Sequence, residues 1–370
     1  MINYKTDSRI VLTLDAGGTN MVFGAMQGAE YIIDPITLPA NANDLDLCLA
    51  TIVTGFKTII NKLNVPPVAI SFAFPGPADY ARGIIGGYLP NFPSFRDGVA
   101  LGPYLENVFG IPVYINNDGD LFTYGEALGG MLAQTNARLK AAGSSKKYKN
   151  IIGYTFGTGF GIGLYINGEL NRGDNSCVET FCLPHKNMSQ IIVEEGVAVR
   201  AVKRVYAELS GDKNPNLEPK DIFNIAEGNI KGNKEAAIKA FEEMGEVAGD
   251  AMATAVTLVD GLIVIGGGIT AAKKYIMPSV LKALRSKIHT LSGEELNRVQ
   301  MKVYDLDNED EFAAFANGEQ KKIKIYGSEQ EIIYDPQKRI GVGISTLGAS
   351  KAISVGAYTF ALSQLDKREL

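Results

Sequence analysis

The sequence predicts an α/β protein built from two related lobes, and three observations carry that reading. Aliphatic and β-branched runs that read as buried strands alternate with longer segments whose apolar residues recur at helical spacing. A unit of strand, glycine–threonine turn and strand occurs near the N-terminus and again roughly 140 residues later, as a weak internal repeat. The chain of 370 residues, 46% hydrophobic and 21% charged, is long enough for two domains.

The first expected strands are residues 10–14 and 21–26, joined by Asp15-Ala-Gly-Gly-Thr19, with a third at 30–33. Residues 45–63 place Leu45, Leu49, Ile52, Phe56, Ile59, Ile60 and Leu63 on one helical face, and Pro66-Pro67 ends the run. Residues 68–74 form a buried strand that runs into Pro75-Gly76-Pro77, a rigid break at a strand's carboxyl end, where α/β sheets place ligands. Residues 86–95, including Asn91, are expected as a substrate-facing loop, with a surface Ω-loop as the other reading. A short strand at 113–115 leads through Asn116-Asn117-Asp118 into a helical run. Asp118 at that join suits both a helix N-cap and a catalytic base, and the two roles are compatible.

Residues 136–150 read as a helix end and an exposed basic connector, and the repeat follows at 151–168 around Gly157-Thr158-Gly159. Both copies close with an X-Gly turn, Gln27-Gly28 and Asn167-Gly168. Helices are expected at 191–209 and 233–259, with a loop at 211–219 between them, and again at about 270 to 288 with His289 in its final turn. Between a strand at 260–265 and the last of these helices lies Gly266-Gly267-Gly268, a join that suits a nucleotide. The acidic run 304–311 and a polar hairpin at 319–339 read as a surface elaboration, and 349–365 as a terminal helix.

The Asp15 turn has two readings. Gly17 and Gly18 allow backbone angles that a side chain forbids, and successive N–H groups in such a turn, with the Thr19 hydroxyl, form an anion-binding concavity. Asp15 would then serve a divalent cation that accompanies the phosphates. The other reading is an ordinary tight hairpin in a buried sheet. Composition narrows the classes: a net charge of −5 and a pI near 5.3 argue against a broad nucleic-acid footprint. Cys48, Cys177 and Cys182 give no disulfide framework, the polar start at Met1 carries no secretory pattern, and no apolar run reaches membrane-spanning length. A cytoplasmic chain without nucleic-acid or membrane partners is expected.

The ordered set Asp15-Ala-Gly-Gly-Thr19, Phe74-Pro-Gly-Pro77, Asn117-Asp118 with Gly125-Glu126, Gly157-Thr-Gly-x-Gly161, Asn167-Gly168 and Ile265-Gly-Gly-Gly-Ile269 resembles the ROK family of sugar kinases and repressors. That family lies within the actin-like and hexokinase-like ATPase superfamily. The resemblance implies two ribonuclease-H-like lobes with a cleft between them: residues 1–117 completed by the C-terminal helix at about 350–370, and residues 118–349 carrying the nucleotide pocket. It implies ATP and Mg²⁺ as partners, with Asp15 holding the metal through water. Gly17, Gly18 and Thr19, with Thr155, Gly157, Thr158 and Gly159, would cradle the phosphates, and Gly266, Gly267 and Gly268 would line the adenosine pocket. Asn117 and Asp118 would hold the sugar, Asp118 as base, with Gly76 and Asn91 on the sugar side. A homodimer or larger homo-oligomer is the family expectation.

One departure stands out. Where the family carries Gly-Glu-x-Gly-His and a cysteine-rich zinc loop, this chain reads Arg172-Gly-Asp-Asn-Ser-Cys177-Val-Glu179-Thr-Phe-Cys182-Leu-Pro-His185 and passes directly to Glu194-Glu195-Gly196. Glu179 matches the first sugar-binding glutamate, Glu195 or else Glu194 the second, and His185 is a further sugar-ligand candidate. Cys177, Cys182 and His185 are too few and too irregular for a tetrahedral zinc site, so none is expected. The expected activity is ATP-dependent phosphorylation of a hexose, glucose-like or N-acetylated, at the 6-hydroxyl. The altered segment 172–196 motivates the alternative of a catalytically silent sugar-binding regulator of the same fold, and an actin-like ATPase of another class is a third reading.

Overall fold

The computed structural model describes residues 4–212 and 214–368, so what the sequence suggests for residues 1–3, 213 and 369–370 lies outside the described residues. The chain folds into two compact units. One holds the chain up to Gly129, Leu170–Val178 and the chain from Ser350 on; the other holds Gly130–Glu169 and Glu179–Ala349. Residues 118–129 and 170–178, which a boundary at 117 would place in the second lobe, lie in the first unit.

The first unit is built on a sheet whose centre is β1 (Val11–Ala16), paired antiparallel with β2 (Asn20–Gln27). On its other side β1 runs parallel to β3 (Ala69–Ala73), and β3 runs parallel to β4 (Val113–Asn116). Val11, Leu12 and Leu14 are all buried, because a strand covered on both faces needs apolar residues at every position rather than in alternation. α1 (Leu45–Ile60), capped by the Asp44 side chain, buries Cys48, Ile52, Phe56 and Ile59 on one face, and Phe56 meets Phe23 of β2 edge to face at 5.2 Å.

α2 (Asp118–Leu128) crosses the C-terminal helix (Ala349–Arg368) at glycines from each. A Cβ on Gly125 would fall 2.0 Å from the Ala352 carbonyl oxygen, and one on Gly356 1.9 Å from that of Leu121. Only glycine permits this approach, which fixes the axis of α2 and with it the position of Asp118.

The second unit repeats the plan. β5 (Ile151–Phe156) and β6 (Phe160–Ile166) form the antiparallel hairpin. β7 (Leu262–Gly266) then lies parallel to β5, followed by β9 (Arg339–Ile344) and β8 (Lys302–Asp305), each parallel to its neighbour. The turn after β6 takes positive φ at Asn167 and Gly168; the one after β2 takes it at Gly28 and Ala29, one residue later than expected.

The remaining differences have local causes. The expected helix at 191–209 begins only at Val199, because Met188–Ile192 pairs with Pro184–His185 and Val193–Gly196 forms a 3₁₀ turn. Directly after the expected loop lies a helix the sequence reading did not assign, Pro219–Glu227, whose start is held by a reciprocal capping box between Glu218 and Asp221. The helix Lys273–Leu284 stops short of His289, which lies on the exposed strand Lys287–His289. Residues 302–305 and 339–344, read as part of or next to a surface elaboration, are strands of the second sheet. The buried Arg339 hides that pattern from the sequence: its Nε donates to the Phe315 carbonyl and its Nη1 pairs with the Asp335 carboxylate. Among the described residues no helix is long and apolar enough to cross a membrane.

Candidate functional site

In the first unit the parallel strands β1, β3 and β4 end at the same edge of the sheet, the place where open α/β sheets bind ligands. Asp15 closes β1, Phe74-Pro75-Gly76 follows β3, and Asn117-Asp118 follows β4; with Gly17, Gly18 and Asn91 they line a cavity of about 550 Å³. The C-terminal helix adds Ser350 and Ser354 to the wall. The Thr19 carbonyl accepts the Ala40 N–H at 2.9 Å. The loop after β3 is held by Tyr80, whose hydroxyl donates to the Phe74 carbonyl at 2.9 Å.

The residue that caps α2 is Asn117, one position before Asp118: its Oδ1 accepts the Gly119 N–H at 2.7 Å. The Asp118 carboxylate shares that same N–H at 2.8 Å and opens onto the cavity. Its carboxyl is held above the usual carboxylate range, chiefly by the protein mass around it, with the negative charge of Asp15 adding to the effect and the Gly119 N–H opposing it. Two further residues stand behind this point, and sequence reasoning assigned them no role. Asn116 is fully buried, and its Oδ1 accepts from Arg172 Nη1 at 2.8 Å. Asp120 is buried in the first turn of α2, and desolvation pushes its carboxyl up to about 7, against the opposing pull of Arg172.

The second unit collects the other group of expected residues. Thr155 of β5 sits beside Gly266 of β7 in register, and Gly267, at φ +100, packs so closely on the hairpin that a Cβ would meet the Phe156 carbonyl oxygen at 2.2 Å. Gly268 follows with open space around it. The turn itself closes with the Gly157 N–H donating to the Gly159 carbonyl at 3.2 Å, and the Gly157 carbonyl accepts from Val199 N–H at the start of α3 (Val199–Ser210).

A charged clasp grips this turn. Glu194 Oε2 accepts the Phe160 N–H at 2.9 Å, and Arg200 donates to Glu194 and to Glu195, each at 2.7 Å, and to the Thr158 carbonyl at 3.3 Å. Of the adjacent glutamates, Glu194 is the one bonded to the hairpin backbone. Glu179 is half-buried. His185 lies inside the unit at 1% exposure, its Nδ1 accepting the Asn187 N–H and its Nε2 against Gly196, where a Cβ would come within 2.5 Å. Burial, reinforced by Arg204, holds its imidazole below the ordinary range. Cys177 and Cys182 are exposed free thiols.

Comparison with known proteins places this architecture. A sequence model of the ROK family matches residues 11–309. A glucokinase from Parabacteroides distasonis, known from its crystal structure, is 57% identical, with a TM-score of 0.91 over 98% of this chain and 99% of that one. A beta-glucoside kinase from Listeria monocytogenes is 25% identical over 275 residues, covering 72% of this chain and 85% of its own length. A ROK family glucokinase from Streptomyces griseus, solved in complex with glucose and AMPPNP, is 18% identical, with a TM-score of 0.61 over 94% of this chain and 98% of that one. The two glycine–threonine hairpins, each backed by parallel strands, are thus the frame of a known α/β fold, and this chain belongs to the ROK family.

Proposed function

We propose that this ROK family member is an ATP-dependent sugar kinase that phosphorylates a hexose, glucose-like or N-acetylated, at the 6-hydroxyl. The observation that carries the reading is the joint placement of Asp15 and Asp118 in one cavity at the carboxyl ends of parallel strands. The 57% identical relative named a glucokinase supports it.

The roles follow from chemistry. Asp118 accepts the proton of the attacking hydroxyl, and a carboxyl held above the ordinary range is a stronger base than a free carboxylate. The sugar oxygen forms a bond to the γ-phosphorus as the bond to the β-γ bridging oxygen breaks, releasing ADP; positioning and charge neutralisation dominate such transfers. Asn117 spends its Oδ1 on the helix cap, so its amide N–H groups remain for a sugar hydroxyl, with Gly76 and Asn91 beside it. In the second unit, Thr155, Gly157, Thr158 and Gly159 with Gly266, Gly267 and Gly268 serve the nucleotide, while Glu179 and Glu195 are the glutamates offered to the sugar. Mg²⁺ fits the donor chemistry, because this ion is held by one or two carboxylates together with phosphates, and Asp15 is an exposed carboxylate on the cavity wall. When bound it neutralises phosphate charge. A cytoplasmic homo-oligomer completes the reading.

The test is ADP release over a panel of glucose, mannose, fructose and N-acetylhexosamines, with Asp118→Asn as the matched variant. The wild type should turn over at least one of these sugars. Asp118→Asn should lower kcat by roughly 10²- to 10⁴-fold with sugar binding retained. Near-normal turnover in the variant would remove Asp118 from its role. Silence across the panel with sugar binding intact would favour a sugar-binding regulator.

A further inference from the structure

A second cavity of the first unit, about 310 Å³, is lined by the strand that delivers Asn116 to Asp118 and takes no part in the transfer proposed above. Its volume falls at the lower end of small-molecule sites. Four basic side chains line it, Arg82, Arg172, Lys367 and Arg368, from three separate parts of the chain, with Glu106 as the one carboxylate in the lining; Arg82 pairs with Asp79 just outside it at 3.8 Å. Glu106 is committed locally, its Oε1 accepting the Val113 N–H at 3.0 Å. The guanidinium of Arg368 lies over the Tyr114 ring, 5.3 Å from its centroid, and that of Arg172 lies 5.7 Å from the Phe360 centroid.

Lysine and arginine at a helix C-terminus ordinarily do no more than complement the helix dipole. Two facts separate this case. Arg172 reaches the same cavity from a remote segment, and Tyr114, on the strand floor, brings a buried hydroxyl that has no hydrogen-bond partner among the described residues. A buried polar hydrogen without an acceptor, among converging cations, calls for an oxygen-rich anion.

We propose that this cavity binds a small phosphorylated molecule, as free phosphate or a phosphate ester, through Arg172, Lys367, Arg368 and the Tyr114 hydroxyl. Guanidinium groups match phosphate oxygens in pairs, and the phenol donates to a third. Because Arg172 also holds Asn116, directly before Asn117-Asp118, occupancy draws on a residue that braces the proposed catalytic loop. That regulatory consequence rests on the kinase reading, whereas the binding does not.

The experiment is calorimetric titration of the full chain with inorganic phosphate and with glucose 6-phosphate. Saturating glucose and AMPPNP are present to fill the other cavity, and the titration is repeated on Arg368→Glu and Tyr114→Phe. The wild type should bind one equivalent. Arg368→Glu should weaken binding at least tenfold, and Tyr114→Phe by a few-fold, with melting temperatures unchanged. Equal affinity for the two probes identifies a free-phosphate site; tenfold tighter binding of the ester identifies a phosphorylated metabolite. Absence of binding, or binding that neither substitution alters, overturns the proposal. Should glucose and AMPPNP themselves not bind, the kinase reading fails, while the response to Arg368→Glu still decides the site.

Discussion

In the first hairpin the turn closes with the Gly17 N–H on the Asn20 carbonyl at 3.0 Å, and a Cβ on Gly18 would meet Asn91 Cβ at 2.9 Å and its carbonyl oxygen at 3.0 Å. In the second, a Cβ on Gly157 would meet nothing within 4 Å, and the turn is gripped instead by Glu194 and Arg200. The same topology is therefore held by steric contact in one unit and by charge in the other. The carboxylates differ in the same sense. Glu194 and Glu195 share an arginine at hydrogen-bond distance, whereas the cavity-facing Asp118 and the buried Asp120 crowd the start of α2, and both carboxyls are raised. The arrangement in the second unit, around Arg200, stores little electrostatic cost. That in the first unit keeps proton affinity high at Asp118, the residue proposed as base.

The largest test of that contrast is Asp120→Asn. The folded carboxyl titrates near 7, well above an unfolded aspartate near 3.9. A raised pKa means that the fold favours the protonated form. The contribution to stability is complete below about pH 4 and is lost as pH rises through about 7. Asparagine removes that loss, so the variant should be more stable than the wild type at pH 8 by on the order of 2–4 kcal/mol and should show a flatter melting temperature between pH 4 and 7. Thermal melts across that range check it. A variant less stable at pH 8 would mean that Arg172 holds Asp120 ionised, and the contrast between the two units would break.

Next in size is a matched pair, Gly18→Ala and Gly157→Ala. At Gly18 the added methyl pushes on Asn91, a wall of the Asp118 cavity, and displacements of this kind cost about 100-fold in kcat/KM. At Gly157 the protein leaves room, so the melting temperature should not move. Any loss there should appear as a raised KM for ATP, because the turn is proposed to hold its phosphates. Equal losses of melting temperature in the two variants would show that both turns are held by packing.

Much of this contrast was written locally in the chain. The strands β1, β2, β5 and β6 are largely apolar, and Asn116-Asn117-Asp118 sits where a short strand meets a helix, so the sequence placed the carboxylates at the sheet edge. What it concealed depends on groups far apart. Arg172 lies 56 residues from Asn116, and no spacing rule connects them. Glu194 and Glu195 are chemically identical neighbours, and only the 3₁₀ turn decides which one meets the Phe160 N–H. Asn117 took the cap expected of Asp118 because either side chain can reach Gly119 N–H, and the backbone of Asn117 has the extended geometry that a cap requires. The strands β8 and β9 escaped notice because a buried arginine reads as surface until its partners are known.

The smallest expected effect belongs to Glu194→Gln, which isolates the charge in the second clasp. Glutamine keeps an acceptor for the Phe160 N–H and gives up the ionic attraction to Arg200. The Arg200 side chain is 43% exposed and that of Glu194 20%, so water screens much of the attraction. The loss in stability should be about 1 kcal/mol or less. Its signature is salt dependence: urea denaturation should separate variant from wild type at low ionic strength and bring them together in about 1 M NaCl, where the screening length is about 3 Å. The stability lost by Gly18→Ala, a steric effect, should not respond to salt. A Glu194→Gln deficit that persists at high salt would mean that hydrogen-bond geometry rather than charge shapes the second turn, leaving the two hairpins alike in kind.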